Sequence, residues 1–119
     1  MADYASLICA SSALEEGGKG VRFKVRTAAG DEPAFAVRYD GAVHAYINRC
    51  AHVPVELDWN AGEFFDYSKL YLICATHGAQ YLPESGLCVL GPCKGARLKR
   101  VAIEERDGQV YLLKDAQHG

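Results

Sequence analysis

The sequence predicts a small all-β domain built from antiparallel strands. Apolar and charged residues alternate with a period of two, as in the run VRFKVR at positions 21–26, which is the pattern of a strand with one solvated face. Asp-Gly pairs at 40–41 and 107–108 lie between such segments, and this pair favours hairpin turns because glycine tolerates positive φ. No segment has the length and periodicity of a stable amphipathic helix.

In chain order, the alternation of 21–26 returns at 35–39, and a further strand is predicted over 42–48. These segments predict a first hairpin around the Asp-Gly pair at 40–41. Only the segments 10–16 and 58–68 are compatible with a helical turn. Both are too short or too irregular for a full helix.

Short apolar segments at 71–73, 79–82 and 87–90 are separated by turn residues and predict more β structure. A closing hairpin is predicted from 98–104 and 109–114. Its expected core positions are Val101, Ile103, Val110 and Leu112.

Composition and length predict one ordinary globular domain over residues 1–119, without repeats or linkers. Half of the residues are apolar and 24% are charged, and the net charge of -2 favours neither nucleic acid nor an anionic membrane as a partner. The first residues lack a basic segment, and the apolar stretch 7–10 is too short for a signal peptide or a membrane span. We therefore expect a cytoplasmic location.

Two clusters of metal-ligand residues follow predicted strands. Cys50-Ala51-His52 comes after one strand and Cys74-Ala75-Thr76-His77 after another. A loop that leaves a strand can turn two of its side chains toward one point. Two such loops together bring two thiolates and two imidazoles to that point. Cys50, His52, Cys74 and His77 are thus predicted to bind metal.

Such a ligand set suits either one tetrahedral zinc ion or a two-iron cluster with the cysteines on one iron and the histidines on the other. In most small zinc sites each loop contributes a single type of ligand. Here each loop carries one cysteine and one histidine, which favours the dinuclear cluster.

The pattern Cys-x-His and Cys-x-x-His on two loops closely resembles the signature of the Rieske family, and the resemblance covers residues 6 to 113. Outside the ligands, the resemblance rests on Leu57, Gly78, Tyr81 and the Gly91-Pro92 turn. It implies an antiparallel β-sandwich with a small two-loop cluster-binding subdomain, about 48–92. It also implies one 2Fe-2S cluster, with Cys50 and Cys74 on one iron and His52 and His77 on the other.

The resemblance excludes the high-potential branch, whose members join the two loops by a disulfide. The corresponding positions here are Val55 and Thr76. Ala79 stands where that branch has a serine that donates to the cluster, whereas Tyr81 keeps the phenol expected near a cysteine sulfur. We expect a reduction potential in the lower part of the range of roughly -150 to +300 mV.

By resemblance, the chain is expected to be a ferredoxin that carries single electrons between a reductase and a terminal oxygenase, with no catalysis and no small-molecule substrate of its own. An electron-transfer subunit of a nitrite-reductase-like complex is an alternative. A structural zinc module for protein interaction is an alternative from another class.

The segment 58–67 is longer than usual in the family at this point and is rich in aromatic and acidic residues. It is interpreted either as a satellite core or as a docking surface whose acidic residues attract a basic partner. These are Asp58, Glu63 and Asp66 of the segment, together with the neighbouring Glu56. Packing is the expected role of the three cysteines outside the ligand set, Cys9, Cys88 and Cys93, and His44 and His118 are poor ligand candidates.

Overall fold

A computed structural model describes residues 4–27, 30–51, 55–58, 61–76 and 78–113. Within these ranges the chain forms nine β-strands and one short 3-10 turn, Ser11–Ala13. The strands are β1 Tyr4–Ala10, β2 Val21–Thr27, β3 Gly30–Tyr39, β4 Ala42–Ile47, β5 Leu72–Ile73, β6 Gln80–Tyr81, β7 Cys88–Leu90, β8 Ile103–Arg106 and β9 Gln109–Leu113.

The strands form three antiparallel sheets of three strands each, in the orders β1-β9-β8, β2-β3-β4 and β5-β6-β7. The first two sheets have the longer strands, and in the third the segment with the second pair of predicted ligands connects β5 to β6. The all-β prediction and its antiparallel arrangement are therefore confirmed. None of the described residues belongs to a helix long and apolar enough to cross a membrane.

Both predicted Asp-Gly hairpins are present. Asp40 and Gly41 have φ of 53° and 79°, and Asp107 and Gly108 have φ of 51° and 77°. Positive φ at both central residues defines the turn type whose twist matches that of antiparallel strands. These turns fix the registers Tyr39↔Ala42 and Arg106↔Gln109.

The segment predicted as one strand over 98–104 is divided between two partners. Val101 N donates to Ala45 O at 3.0 Å, and Ile47 N donates to Lys99 O at 2.9 Å, so residues 99–101 run along β4. Pairing with β9 begins only at Ile103. Lys114, the end of the last predicted strand, lies outside the described residues.

The strand β1 was not predicted, and its pairing explains why. Register shifts interrupt its ladder with β9 between Tyr4 and Ser6 and between Leu7 and Cys9. Each such irregularity breaks the period-two alternation on which strand prediction depends. Of the two segments compatible with a helical turn, 10–16 contains the 3-10 turn Ser11–Ala13, whereas the described part of 58–68 contains none.

The strand β3 separates two apolar cores. Its successive side chains point to opposite faces, so Phe35 and Val37 pack into one core while Ala34 and Ala36 pack into the other. The first core also holds the small sheet, and the second lies against β9. Of the predicted core positions in the closing hairpin, Val101, Val110 and Leu112 are buried, and Ile103 is half-buried.

Candidate metal centre

The structure describes two of the four predicted ligands. Cys50 lies three residues after β4, and Cys74 directly follows β5. Their side chains are 3% and 0% exposed, and both are thiols in the first core. His52 and His77 lie outside the described residues. The two strands therefore place the cysteines inside the protein at the start of their loops.

The first loop is closed by backbone hydrogen bonds and anchored by a buried side chain. Cys50 N donates to Val55 O at 2.7 Å. Leu57 is fully buried, and its N–H donates to Asn48 Oδ1 at 2.9 Å. Residues 50 and 55 are thereby joined to each other, and Leu57 is fixed to Asn48, the first residue after β4.

The second loop is closed in a similar way. Cys74 N donates to Ala79 O at 2.9 Å, and Gly78 N donates to Cys74 O at 2.7 Å. Gly78 has a φ of 71°, a backbone conformation that glycine adopts readily. Ala75 N donates to Leu57 O at 3.0 Å, so a direct hydrogen bond joins the two ligand loops.

The Gly91-Pro92 turn packs against the second loop at its glycine. Gly91 has a φ of 106°, and a Cβ there would lie 2.9 Å from Ala79 Cα. Only a residue without a side chain allows this approach. Pro92 itself is exposed.

A buried polar network behind the first loop was not predicted. Asn48, 1% exposed, donates from Nδ2 to Asp58 Oδ1 at 2.9 Å, and Asp58 Oδ2 accepts from Gly62 N at 2.9 Å. Arg22 lies 3.5 Å from the same carboxylate and also pairs with the exposed Glu56 at 2.9 Å. An asparagine and an aspartate ten residues apart carry no motif, so only the fold brings them together.

Tyr81 brings a hydroxyl to Cys50, the first of the predicted ligands. Its oxygen lies 3.3 Å from Cys50 Sγ and accepts a hydrogen bond from Ala51 N at 3.0 Å. Burial, together with hydrogen bonds to the sulfurs of Cys50 and Cys93, raises the pKa of Tyr81 far above its ordinary value. The phenol therefore keeps its proton and can donate it to a cysteine sulfur.

Cys88 and Cys93 are buried in the first core, in keeping with the packing role expected of them. Their Sγ atoms are 2.8 Å apart, and Cys93 Sγ lies 3.3 Å from the Tyr81 hydroxyl. Burial, and next the hydrogen bond with Cys93, raises the pKa of Cys88 to about 11. Cys9 packs against the other core, and His44 lies within β4.

The segment 58–67 contributes Phe64 to the first core. Phe64 is fully buried and stacks on Phe35 with ring centroids 4.0 Å apart, whereas Tyr67 is fully exposed. Asp58 is buried and hydrogen-bonded within the chain, which favours the packing interpretation at this position. Trp59 and Asn60 lie outside the described residues. A docking role for the rest of the segment stays a prediction.

The residues present fit an iron-sulfur group. Two buried thiols lie on loops joined by a hydrogen bond, and soft thiolate ligands suit iron-sulfur clusters. The hydroxyl of Tyr81 supplies the kind of outer donor that tunes such a group.

The fold and the paired ligand loops define a small β protein with a candidate metal centre. The family model of the Rieske [2Fe-2S] domain matches residues 5–115. The chain therefore belongs to the Rieske [2Fe-2S] domain family, and this family implies a 2Fe-2S cluster. No curated protein matches the chain significantly in sequence.

Solved structures from carbazole 1,9a-dioxygenase systems share the fold. The ferredoxin from Nocardioides aromaticivorans IC177 has a TM-score of 0.68 at 18% identity over 89% of this chain and 93% of that one. The terminal oxygenase from Novosphingobium sp. KA1 has a TM-score of 0.68 at 26% identity over 92% of this chain. A reduced complex between oxygenase and ferredoxin gives a TM-score of 0.71 at 19% identity over 98% of this chain. The chain spans 29% of the length of the matched chain in each of these last two structures.

Proposed function

We propose that the chain is a cytoplasmic, Rieske-type carrier of single electrons between a reductase and a terminal oxygenase. The observation that carries this proposal is the pair of buried thiols, Cys50 and Cys74, on two loops joined by a hydrogen bond in a chain of the Rieske family. Cys50 and Cys74 would hold one iron, and His52 and His77 the other. The proposal covers residues 1–119 as one domain.

When bound, the 2Fe-2S cluster supplies a centre that accepts and releases one electron. The protein's own residues hold and tune that centre. The closed loops fix Cys50 and Cys74, and burial of both side chains excludes water from the sulfurs. The Tyr81 hydroxyl donates to Cys50, which stabilises the more negative, reduced state.

The structural neighbours support an oxygenase as the electron acceptor. Among them are a ferredoxin and a terminal oxygenase of carbazole 1,9a-dioxygenase. The ferredoxin matches over most of both chains, which favours the carrier role. We assign the chain no catalysis, no small-molecule substrate and no nucleic-acid or membrane partner.

The decisive experiment is purification without chelator under anaerobic conditions, followed by metal analysis, visible absorption and electron paramagnetic resonance after dithionite reduction. We expect a red-brown protein with two irons per chain and a lower average g than an all-cysteine cluster gives. A Cys50→Ser variant should lose the colour, whereas Cys9→Ser should keep it, because Cys9 packs in the other core. A colourless protein with stoichiometric zinc would overturn the proposal.

A further inference from the structure

A second pair of buried thiols lies next to the candidate metal centre and has no part in the proposed function. Cys88 belongs to β7, and Cys93 lies in the turn after it, with side chains 1% and 8% exposed. Their Sγ atoms are 2.8 Å apart. A disulfide has an S–S bond of about 2.05 Å, so these sulfurs need to approach by less than about 1 Å.

The backbone holds the two cysteines in this arrangement. Cys88 N donates to Ala96 O at 2.8 Å, and Gly95 N donates to Cys88 O at 2.9 Å. Ala96 N donates to Cys93 O at 2.8 Å, which closes the turn. Both thiols are therefore positioned on one short hairpin before any reaction between them.

Tyr81 connects this pair to Cys50. Its hydroxyl oxygen lies 3.3 Å from Cys50 Sγ and 3.3 Å from Cys93 Sγ. A phenol has one proton to donate, and the oxygen already accepts from Ala51 N. The two sulfurs therefore compete for a single hydrogen bond.

We propose that Cys88 and Cys93 form a dithiol–disulfide couple whose oxidation state sets how much of the Tyr81 hydrogen bond reaches Cys50. The second half of this inference rests on the proposed function, in which Cys50 binds the cluster. The oxidant is a low-molecular-weight disulfide. One such molecule and the two thiols give the Cys88–Cys93 disulfide and two small thiols, so the cysteines lose two electrons and two protons.

The reaction has a defined order. Cys93 is the more exposed of the two and meets the oxidant first, forming a mixed disulfide and releasing one small thiol. Cys88 then attacks the Cys93 sulfur and releases the second small thiol.

Oxidation changes the position of the competing sulfur. Bond formation draws Cys93 Sγ toward Cys88, and the proposed link to the cluster requires that this motion lengthens the 3.3 Å contact with the Tyr81 hydroxyl. The phenol then donates to Cys50 alone. Because a hydrogen bond to a ligand sulfur stabilises the reduced cluster, the disulfide form should have the higher reduction potential.

The test treats the anaerobic holoprotein with glutathione disulfide or with reduced glutathione, alkylates the thiols after denaturation and maps the peptides by mass. In the oxidised sample we expect Cys88 and Cys93 to be protected together in one intramolecular disulfide, while Cys9 takes part in no intramolecular disulfide in either sample. The cluster potential, measured on the same preparations, should be higher in the oxidised sample.

Three variants separate the steps. Without oxidant, Cys88→Ala should keep the potential of the reduced protein; after glutathione disulfide it should stop at the mixed disulfide on Cys93 and form no intramolecular disulfide. Cys93→Ala should lose the response to glutathione disulfide but should have the raised potential, because the competing sulfur is gone. Cys9→Ala should respond like the unmodified chain.

Full alkylation of Cys88 and Cys93 after glutathione disulfide treatment would overturn the couple. A disulfide without any change of potential would overturn its link to the cluster. The peptide masses report the couple even if the cluster has other ligands, whereas iron content and average g report the proposed function. The two failures are therefore distinguishable.

Discussion

At the scale of single residues, Tyr81 connects the candidate metal centre to the core through one hydroxyl. The ring is fully buried in β6, and its oxygen bonds to the loop of Cys50 through both a sulfur and a backbone N–H. A phenylalanine would preserve the packing and remove only the hydroxyl. Substitution of Tyr81 by phenylalanine therefore tests the tuning of the metal centre without a large change in the packing of the fold.

We predict that Tyr81→Phe lowers the reduction potential by roughly 50 mV, about a tenfold change in equilibrium constant for a one-electron couple. The cause is loss of the donor that favours the reduced state. Protein-film voltammetry measures the shift. Tyr46→Phe is the matched control, because that buried hydroxyl donates to Pro83 O at 2.6 Å instead of contacting the sulfur of Cys50. An unchanged potential in Tyr81→Phe would contradict the tuning role.

The Asp58 carboxylate gives a second prediction for a single side chain. Asp58→Ala leaves the buried donors of Asn48 and Gly62 without their acceptor and should lower the free energy of unfolding by about 2–3 kcal/mol. Glu56→Ala removes the other carboxylate that pairs with Arg22, but this pair is exposed, so the cost should stay below about 1 kcal/mol. Urea unfolding followed by circular dichroism compares the two variants. Equal losses would show that the network does not anchor the first loop.

At the scale of elements, Arg38 joins the sheet of β3 to that of β8. Its guanidinium donates to both oxygens of Glu105, at 3.2 Å and 2.6 Å, and to the carbonyls of Leu14 and Ser11, at 2.8 Å and 3.2 Å. The ion pair is largely shielded, with side chains 17% and 31% exposed. An ion pair with two parallel hydrogen bonds fixes the relative orientation of the two elements and also stabilises the fold.

This pair predicts a dependence of stability on pH. The hydrogen bond from Arg38 lowers the pKa of Glu105, so the stabilisation is present above the unfolded value of about 4.3 and is lost as the pH falls through the folded value. Between pH 7 and pH 3, the free energy of unfolding should therefore fall by about 1 kcal/mol less in Glu105→Gln than in the unmodified chain. Asp31→Asn removes an exposed pair with Arg26 and should match the unmodified chain. Parallel pH profiles for Glu105→Gln and the unmodified chain would contradict the prediction.

Elements also show what sequence patterns can predict. The Asp-Gly hairpins could be predicted because their turn chemistry is local. Cys50 and Cys74 could be placed at the ends of strands for the same reason, and both are buried there. Register shifts concealed β1, and the division of 98–104 depended on the distant partner β4. The contact of Cys93 with Tyr81 likewise depends on how the small sheet folds. Local chemistry could be predicted, whereas features set by tertiary pairing could not.

At the scale of the whole molecule, the small sheet depends on its surroundings. Its strands have only two or three residues, too few for an independently stable sheet. Packing in the first core holds it against β3, and backbone hydrogen bonds such as Ile73 N to Phe64 O extend its edges. A metal group that bridges the two ligand loops would add a third restraint, because metal binding is coupled to folding.

Removal of iron should therefore affect the molecule unevenly. We predict that chelation under reducing conditions speeds amide exchange in the small sheet and in the described parts of the two loops, 50–51, 55–58, 74–76 and 78–79, while β2 and β3 stay protected by their ladder of seven residue pairs. Hydrogen exchange followed by mass spectrometry compares the two forms, and Cys50→Ser should reproduce the pattern without chelator. Equal loss of protection in β2 and β3 would mean that the chain unfolds as one unit when iron is removed, so that the cluster stabilises the whole fold and not the ligand loops alone.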